Sequence, residues 1–142
     1  MSIINTIQKT DKFINTLETS KGFKLFERSD VSPFARCFVI FSKSLIKKYN
    51  WLEKRKQQLI YDLNIDLYNF YKKKINNNID WRSDKLFLQL YCFTLSSLNI
   101  LNGQLNYQNL DILKRILEVD IEKSLEQMRV HKGAAKSGNQ SM

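Results

Sequence analysis

Glycine and proline are scarce in this chain of 142 residues, which contains four glycines and a single proline. Sandwiches and barrels need turn residues about every 8–12 positions, so this scarcity argues against a many-stranded β architecture. Hydrophobic residues make up 43% of the chain and charged residues 26%, which is typical of a globular protein rather than of a disordered one. Long helices joined by few loops therefore fit the composition best.

Cysteine and histidine are also rare, with two cysteines and one histidine. The sequence has no CxxC pair, no glycine-rich phosphate loop and no GxSxG motif. It therefore marks no catalytic residue, no metal ligand and no cofactor-binding residue, and we expect no cofactor. His131 is interpreted as a partner of a helix C-terminus rather than as a general base. Cys37 and Cys92 lie in apolar runs, which predicts buried, reduced thiols.

The formal charge is strongly positive, 23 − 14 = +9. Such a balance favours an acidic partner, which we expect to be an anionic polysaccharide, a nucleic acid or an acidic protein surface. The alternative is a lysine-rich solvated surface with no special partner. The first residues do not form a secretory signal, and no apolar stretch approaches the ~18 residues of a membrane span. We therefore expect a cytoplasmic protein without a membrane span.

Five helices are predicted from apolar residues spaced at three, four and seven positions. Four of them cover residues 2–20, 34–49, 51–75 and 86–101, and the fifth begins at Asn106 or Asn109. Gly22 is expected to end the first helix, Ser32-Pro33 to begin the second, and Asn102-Gly103 to end the fourth. Ser83 or Asp80 is the expected cap of the fourth helix, and Gly133 the expected end of the fifth.

These elements predict an all-α fold of about five helices in antiparallel hairpins, arranged as a bundle or as the start of an α/α array. Residues 1–131 are expected to form a single helical domain. Residues 132–142 are small and polar, so they are expected to be a flexible tail or the start of a missing helix.

Two pairs of carboxylates fall at spacings that suggest a site. The run from Asp62 to Asp66 imitates the start of a calcium loop, but Leu67 stands where that loop needs glycine and Lys73 where it needs glutamate. We interpret it as a solvated helix face, with a carboxylate pair as the alternative. Asp80 and Asp84 are interpreted as helix caps, with acid and base roles in sugar chemistry as the alternative.

Aromatic and basic residues on and after the third helix are the candidate surface platform or basic patch. They are Trp51, Lys54, Arg55, Lys72, Lys73, Lys74 and Trp81. Stacking of bases or sugars on a tryptophan beside cations would use such a set. The clusters at 54–56 and 72–74 are about 18 residues apart, or roughly 27 Å along a helix, so one continuous phosphate-binding surface is not expected from them.

One stretch resembles a known family. The run Leu59–Leu101, with its Asp80-Trp81 loop and its Gln89–Leu101 segment, is similar to one helical hairpin of the α/α-toroid proteins, which include heparinase-like polysaccharide lyases. Ser137–Met142 resembles the opening of another hairpin. The resemblance implies the first hairpins of a toroid whose active cleft would lie beyond residue 142. None of the catalytic Tyr, His or Asn residues of that group can be placed in this chain.

Three functions are compatible with these observations. The first is a non-catalytic helical binding or scaffold module, because no chemical constellation is present. The second is the N-terminal helical part of a toroid-like, carbohydrate-active protein. The third is a basic helical nucleic-acid-binding domain, whose affinity would fall steeply with salt.

Overall fold

The computed structural model describes residues 2–140, and for residues 119–121, 123 and 130–140 it describes the backbone alone. Over this range the helices are α1 (Ile3–Thr16), α2 (Pro33–Leu45), α3 (Tyr49–Asn76), α4 (Lys85–Ile100) and α5 (Tyr107–Gln140). An antiparallel hairpin of two short strands, β1 (Glu18–Thr19) and β2 (Gly22–Phe23), follows α1. The predicted all-α class with five helices is confirmed for the described part of the chain.

The segment after α1 differs from the prediction. The Ser2 hydroxyl caps α1 by accepting from the Asn5 N–H (3.2 Å), but the helix ends at Thr16 rather than near Gly22. The chain then turns back as the β1–β2 hairpin, in which Gly22 has a φ of +140°. Glycine is needed there because L side chains rarely adopt that backbone conformation. Gly22 therefore makes a hairpin possible instead of ending a helix.

The start of α2 is confirmed, whereas its end lies earlier than predicted. The Phe34 N–H donates to the Ser32 hydroxyl (3.2 Å), and Pro33 occupies the first turn, where a missing N–H costs nothing. α2 stops at Leu45, four residues before the predicted Tyr49, because Lys47 adopts a left-handed φ of 61°. A left-handed residue breaks the helix and directs the chain into α3.

At α4 the predicted end is confirmed, and of the two carboxylates interpreted as caps Asp84 is the one that caps the helix. Asp84, not Ser83 or Asp80, accepts from the Phe87 N–H (2.9 Å). Asp80 instead holds the preceding turn by accepting from the Arg82 N–H and the Ser83 hydroxyl. At the other end, Asn102 is left-handed (φ 52°) and the Gly103 N–H donates to the Leu98 carbonyl at 2.8 Å.

The last helix continues past its predicted end. α5 runs through Gly133 to Gln140, so Gly133 does not stop it and residues 132–140 are helical. A glycine inside a helix costs only about 1 kcal/mol, and Ala134 and Ala135 after it are the best helix formers. The contacts divide the chain into one compact unit up to Asn106 and a second from Tyr107 onward. The side chain of His131 lies outside the described residues.

The core of the first unit lies between α2, α3 and α4, which pack on one another, while α1 packs on α2. Its fully buried side chains include Cys37, Ile40, Leu63, Leu67, Phe87 and Leu90. Both cysteines are free, but only Cys37 is buried. The expectation of a buried Cys92 is wrong, because the next position after buried Tyr91 points about 100° further round the helix. Within the described residues, no helix is both long and apolar enough to cross a membrane.

Candidate functional site

The end of α3 and the start of α4 form a small pocket that combines apolar walls with a basic rim. We call it the lysine-rimmed pocket. It has a volume of about 190 Å³ and is lined by Phe70, Lys73, Lys74, Asn77, Ile79 and Leu86. Phe70 and Lys74 are one turn apart on α3, so they share a face. Ile79 folds back over this face because its N–H donates to the Lys74 carbonyl (3.0 Å) after the left-handed Asn78.

A layer of aromatic rings supports the pocket from behind. The Phe70 ring stacks on Phe87 with centroids 6.2 Å apart, and Phe87 meets the edge of Trp81 at 6.0 Å. Trp81 also packs edge-on against Tyr71, with ring centroids 5.0 Å apart. Trp81 is thus a half-buried member of this layer, with part of its surface already covered by protein. The rings hold the floor of the pocket in place because each has several neighbours.

The rim of the pocket carries positive charge that its surroundings neutralise only in part. Lys74 lies over the Phe70 ring (5.2 Å) and pairs with the Asp84 carboxylate at 3.2 Å. Lys73 is exposed, whereas Lys72 is not among the residues that line the pocket and lies over the Tyr68 ring (5.0 Å). Among the described residues no carboxylate pairs with Lys72 or Lys73. Residues 72–85 contain five basic and two acidic side chains, a balance of 5 − 2 = +3.

The other half of the predicted patch lies at the opposite end of α3 and is engaged in packing. Arg55 pairs with Glu18 of β1 and lies over the Trp51 ring at 4.4 Å. Lys43 contacts the same ring at 4.7 Å, and the ring of Phe23 is 6.3 Å away. Lys54 is exposed. α3 therefore places Lys54, Arg55 and Trp51 roughly 27 Å from the lysine-rimmed pocket, not beside it.

Lys43 is a buried charge that the sequence analysis missed. Only 1% of this residue is exposed, and its ammonium group donates to Asp11 (2.5 Å) and Asn15 (2.6 Å) of α1. A buried ammonium is tolerated only with such partners. The available signal was its position on α2, seven residues after Arg36 on a face that also carries Cys37 and Ile40. Lys43 thus fixes α1 on α2.

The Asp62–Asp66 pair faces a buried cation, so its interpretation as a solvated helix face is wrong. Arg36 is buried on α2 and lies 2.9 Å from the Asp66 carboxylate and 3.9 Å from that of Asp62. Burial raises the pKa of Asp66 from 3.8 to about 6, although the Arg36 charge acts in the opposite direction and the Asp62 charge adds to the rise. The alternative of a carboxylate pair is the arrangement found.

A polar cleft of about 250 Å³ adjoins this pair, between the β1–β2 hairpin and α3. It is lined by Arg36 and Asp62 together with Glu18–Phe23 and Gln58. An acid with a raised pKa beside a cleft is a general feature of acid–base sites. Here the carboxylates bind the Arg36 guanidinium, and no histidine is among the residues that line the cleft. We therefore interpret these ion pairs as structural contacts that join α2, α3 and the hairpin.

The described residues contain no group of three or more His, Cys, Asp or Glu side chains placed to hold a metal ion. The lysine-rimmed pocket is the strongest candidate for recognition, because it joins an apolar cavity to the exposed Lys73 and to Lys74. In comparisons with known proteins, no protein-family model, no curated protein and no solved structure matches this chain.

Proposed function

We propose that this chain is a non-catalytic helical binding module that holds an acidic segment of another protein at the lysine-rimmed pocket. One apolar side chain of the segment enters the pocket, and carboxylates beside it meet Lys73 and Lys74, the two lysines that line it. The observation that carries the proposal is the juxtaposition of the walls Phe70, Ile79 and Leu86 with a positive rim. Its volume of about 190 Å³ is below the roughly 300–1,000 Å³ of ligand and cofactor pockets, and suits a single side chain.

The expected affinity follows from the free energies contributed by the buried apolar side chain and by the charge pairs. Burying one leucine-sized side chain contributes about 1.5–3 kcal/mol, and each exposed charge pair contributes up to about 1 kcal/mol. Two such pairs and one anchor give at most about 5 kcal/mol, close to the 4.1 kcal/mol that corresponds to a dissociation constant of about 1 mM. A minimal peptide is therefore expected to bind in the high micromolar to millimolar range. A natural partner would add contacts outside the pocket.

An acidic protein segment fits this surface better than a nucleic acid does. Affinity for nucleic acid comes from many phosphate contacts along a continuous basic surface. In this chain the two basic clusters of α3 are roughly 27 Å apart, and Arg55 of the first cluster is already paired with Glu18. The lysines at the pocket therefore serve a local acidic contact rather than a long phosphate backbone.

The test is a titration of the ¹⁵N-labelled chain with the peptide acetyl-Glu-Asp-Leu-Glu-Asp-amide, followed by amide chemical shifts. We expect saturable shifts around Phe70, Lys73 and Leu86. Lys73→Gln and Leu86→Ser should each weaken binding several-fold, because one removes a charge and the other an apolar wall. Lys54→Gln is the matched control, since Lys54 is an exposed lysine of the same helix, and should bind normally.

Two further probes separate this function from its alternatives. The peptide with serine in place of leucine should lose most of its binding if the pocket takes the anchor. A labelled 20-base-pair DNA duplex should bind weakly. The proposal fails if millimolar peptide causes no shifts at the pocket. If the duplex binds tightly, with a steep salt dependence and equal losses in Lys54→Gln and Lys73→Gln, the nucleic-acid function replaces it.

A further inference from the structure

Asp84 lies where the lysine-rimmed pocket meets the start of α4. Its carboxylate oxygen Oδ2 accepts from the Phe87 N–H at 2.9 Å, which caps the helix. The same oxygen lies 3.2 Å from Nζ of Lys74, one of the two lysines that line the pocket. Asp84 is not among the lining residues, and it precedes the pocket wall Leu86 by two positions. One carboxylate therefore binds both the helix end and a lysine of the rim.

We propose that Asp84 is an internal competitor of the acidic partner: it holds Lys74 in the free chain, and a carboxylate of the partner takes its place on binding. This inference rests on the proposed function of the pocket. Lys73 is exposed, and no carboxylate among the described residues pairs with it. The Lys74 side chain is only 16% exposed and is already paired with Asp84. The free chain thus offers a partner one unpaired cation and one that is occupied.

The contacts of Lys74 keep its ammonium group at the pocket when Asp84 is displaced. This group lies 5.2 Å from the centre of the Phe70 ring, which forms a wall of the pocket. Attraction between a cation and an aromatic face favours that position independently of the ion pair. The backbone of Lys74 is fixed beside a second wall, because its carbonyl accepts from the Ile79 N–H at 3.0 Å. Lys74 is therefore placed to meet a carboxylate of the partner.

Competition by Asp84 weakens the binding of acidic segments in particular. A partner carboxylate that reaches Lys74 replaces one ion pair by another, so it gains little there, whereas a neutral segment does not compete with Asp84 at all. Removing the competitor should tighten acidic binding by about fivefold. This factor corresponds to about 1 kcal/mol, the upper value for an ion pair that is partly exposed. Asp84 thereby sets the affinity of the pocket for its acidic partner.

The test repeats the titration with acetyl-Glu-Asp-Leu-Glu-Asp-amide on variants that keep the helix cap. Asparagine and serine cap a helix about as well as aspartate does, so Asp84→Asn and Asp84→Ser remove the charge and retain an acceptor for the Phe87 N–H. Both variants should bind the acidic peptide about fivefold more tightly than the wild type. The uncharged peptide acetyl-Gln-Asn-Leu-Gln-Asn-amide should bind all three chains alike. Circular dichroism checks that each variant keeps its helical content.

Two further variants show whether the gain arises at Lys74. Asp80→Asn removes an exposed carboxylate of the same turn whose hydrogen bonds go to Arg82 and Ser83. It changes the net charge by the same amount as Asp84→Asn and should leave the affinity for the acidic peptide unchanged. In a Lys74→Gln background, Asp84→Asn should give no gain, because the cation for which the two carboxylates compete is absent.

The outcomes separate this inference from the proposed function. If the wild type binds the acidic peptide at the pocket and Asp84→Asn binds it no more tightly, the competition is refuted and the proposed function stands. An equal gain in Asp80→Asn, or a gain that persists in the Lys74→Gln background, also refutes the competition, since the effect would then be one of net charge. If millimolar peptide causes no shifts at the pocket in the wild type or in Asp84→Asn, both proposals fail.

Discussion

The side chains of Arg36 and Lys43 show how single residues hold this structure together. They are seven positions apart on α2, both are buried, and each receives a carboxylate from another helix: Asp66 of α3 for Arg36 and Asp11 of α1 for Lys43. Removing one partner of such a buried pair typically costs about 3–5 kcal/mol, because a desolvated charge remains. The main effect of these pairs is therefore to specify which helix faces meet. Their net contribution to stability is small.

Asp66 gives the stability of the fold a pH dependence of definite sign. Its pKa is about 6 in the folded chain, against an ordinary value of 3.8. Between these values the folded state keeps the proton and the unfolded state does not, so stability rises as the pH falls through this window. The contribution is at most about 1.4 kcal/mol for each pH unit. Urea unfolding at pH 6.5 and pH 4.5 should show it in the wild type.

The comparison that isolates this contribution uses two variants. Asp66→Asn removes the titrating group and should lose this part of the pH dependence, whereas the exposed Asp30→Asn should retain it. An unchanged pH dependence in Asp66→Asn would show that Asp66 titrates as an ordinary carboxyl.

At the scale of elements, the turn after α4 is fixed by a close approach to α3. The Gly103 N–H donates to the Leu98 carbonyl at the end of α4. A Cβ atom at position 103 would lie 2.6 Å from Cγ1 and 2.7 Å from Cδ1 of Ile60. Asn64, one turn after Ile60, donates to the Gln104 carbonyl and accepts from the Asn106 N–H. The turn is thus held by one apolar contact and two hydrogen bonds from the same face of α3.

Gly103→Ala is expected to destabilise the chain by about 1–3 kcal/mol, the usual cost of overpacking. Thermal unfolding followed by circular dichroism measures the effect. Gln104→Ala, at an exposed neighbouring position, should change the free energy of unfolding by less than about 0.5 kcal/mol. Adding Ile60→Ala to Gly103→Ala should cost less than the sum of the two single changes. Strict additivity would mean that the cost of Gly103→Ala does not arise from Ile60.

For the whole molecule, the net charge of +9 means that repulsion among excess cations competes with the stabilisation from local ion pairs. Exposed ion pairs contribute only about 0–1 kcal/mol each, whereas repulsion among excess cations acts over the whole surface at low salt. We therefore expect stability to increase between 10 and 150 mM NaCl, as the screening length falls from about 30 Å to about 8 Å. The melting temperature should rise by a few degrees, since 1 kcal/mol corresponds to about 4 °C in a chain of this size.

A charge variant provides the control for this salt effect. Lys54→Gln/Lys73→Gln removes two exposed lysines and lowers the net charge to 9 − 2 = +7, so the rise in melting temperature should be smaller. A melting temperature that falls with added salt would show that the ion pairs dominate.

Several features of the fold were predictable because they depend on neighbouring residues. Ser32-Pro33 begins α2 and Asn102-Gly103 ends α4 as expected, since a capping hydroxyl and a left-handed turn act within a few positions. The sequence placed Lys73 and Lys74 in one cluster of neighbouring lysines, but the pocket walls Ile79 and Leu86 come from segments on either side of a turn. The likeness to α/α-toroid proteins stays a prediction.

By itself the sequence determined the helical class, most helix boundaries and the excess of positive charge, because composition, capping and periodicity act locally. Only the tertiary structure decided that Asp66 faces Arg36, that Lys43 is buried and that Cys92 is exposed. Local patterns give each side chain a face on its helix. Which face meets a partner, and which charge is then buried, depends on how distant helices pack.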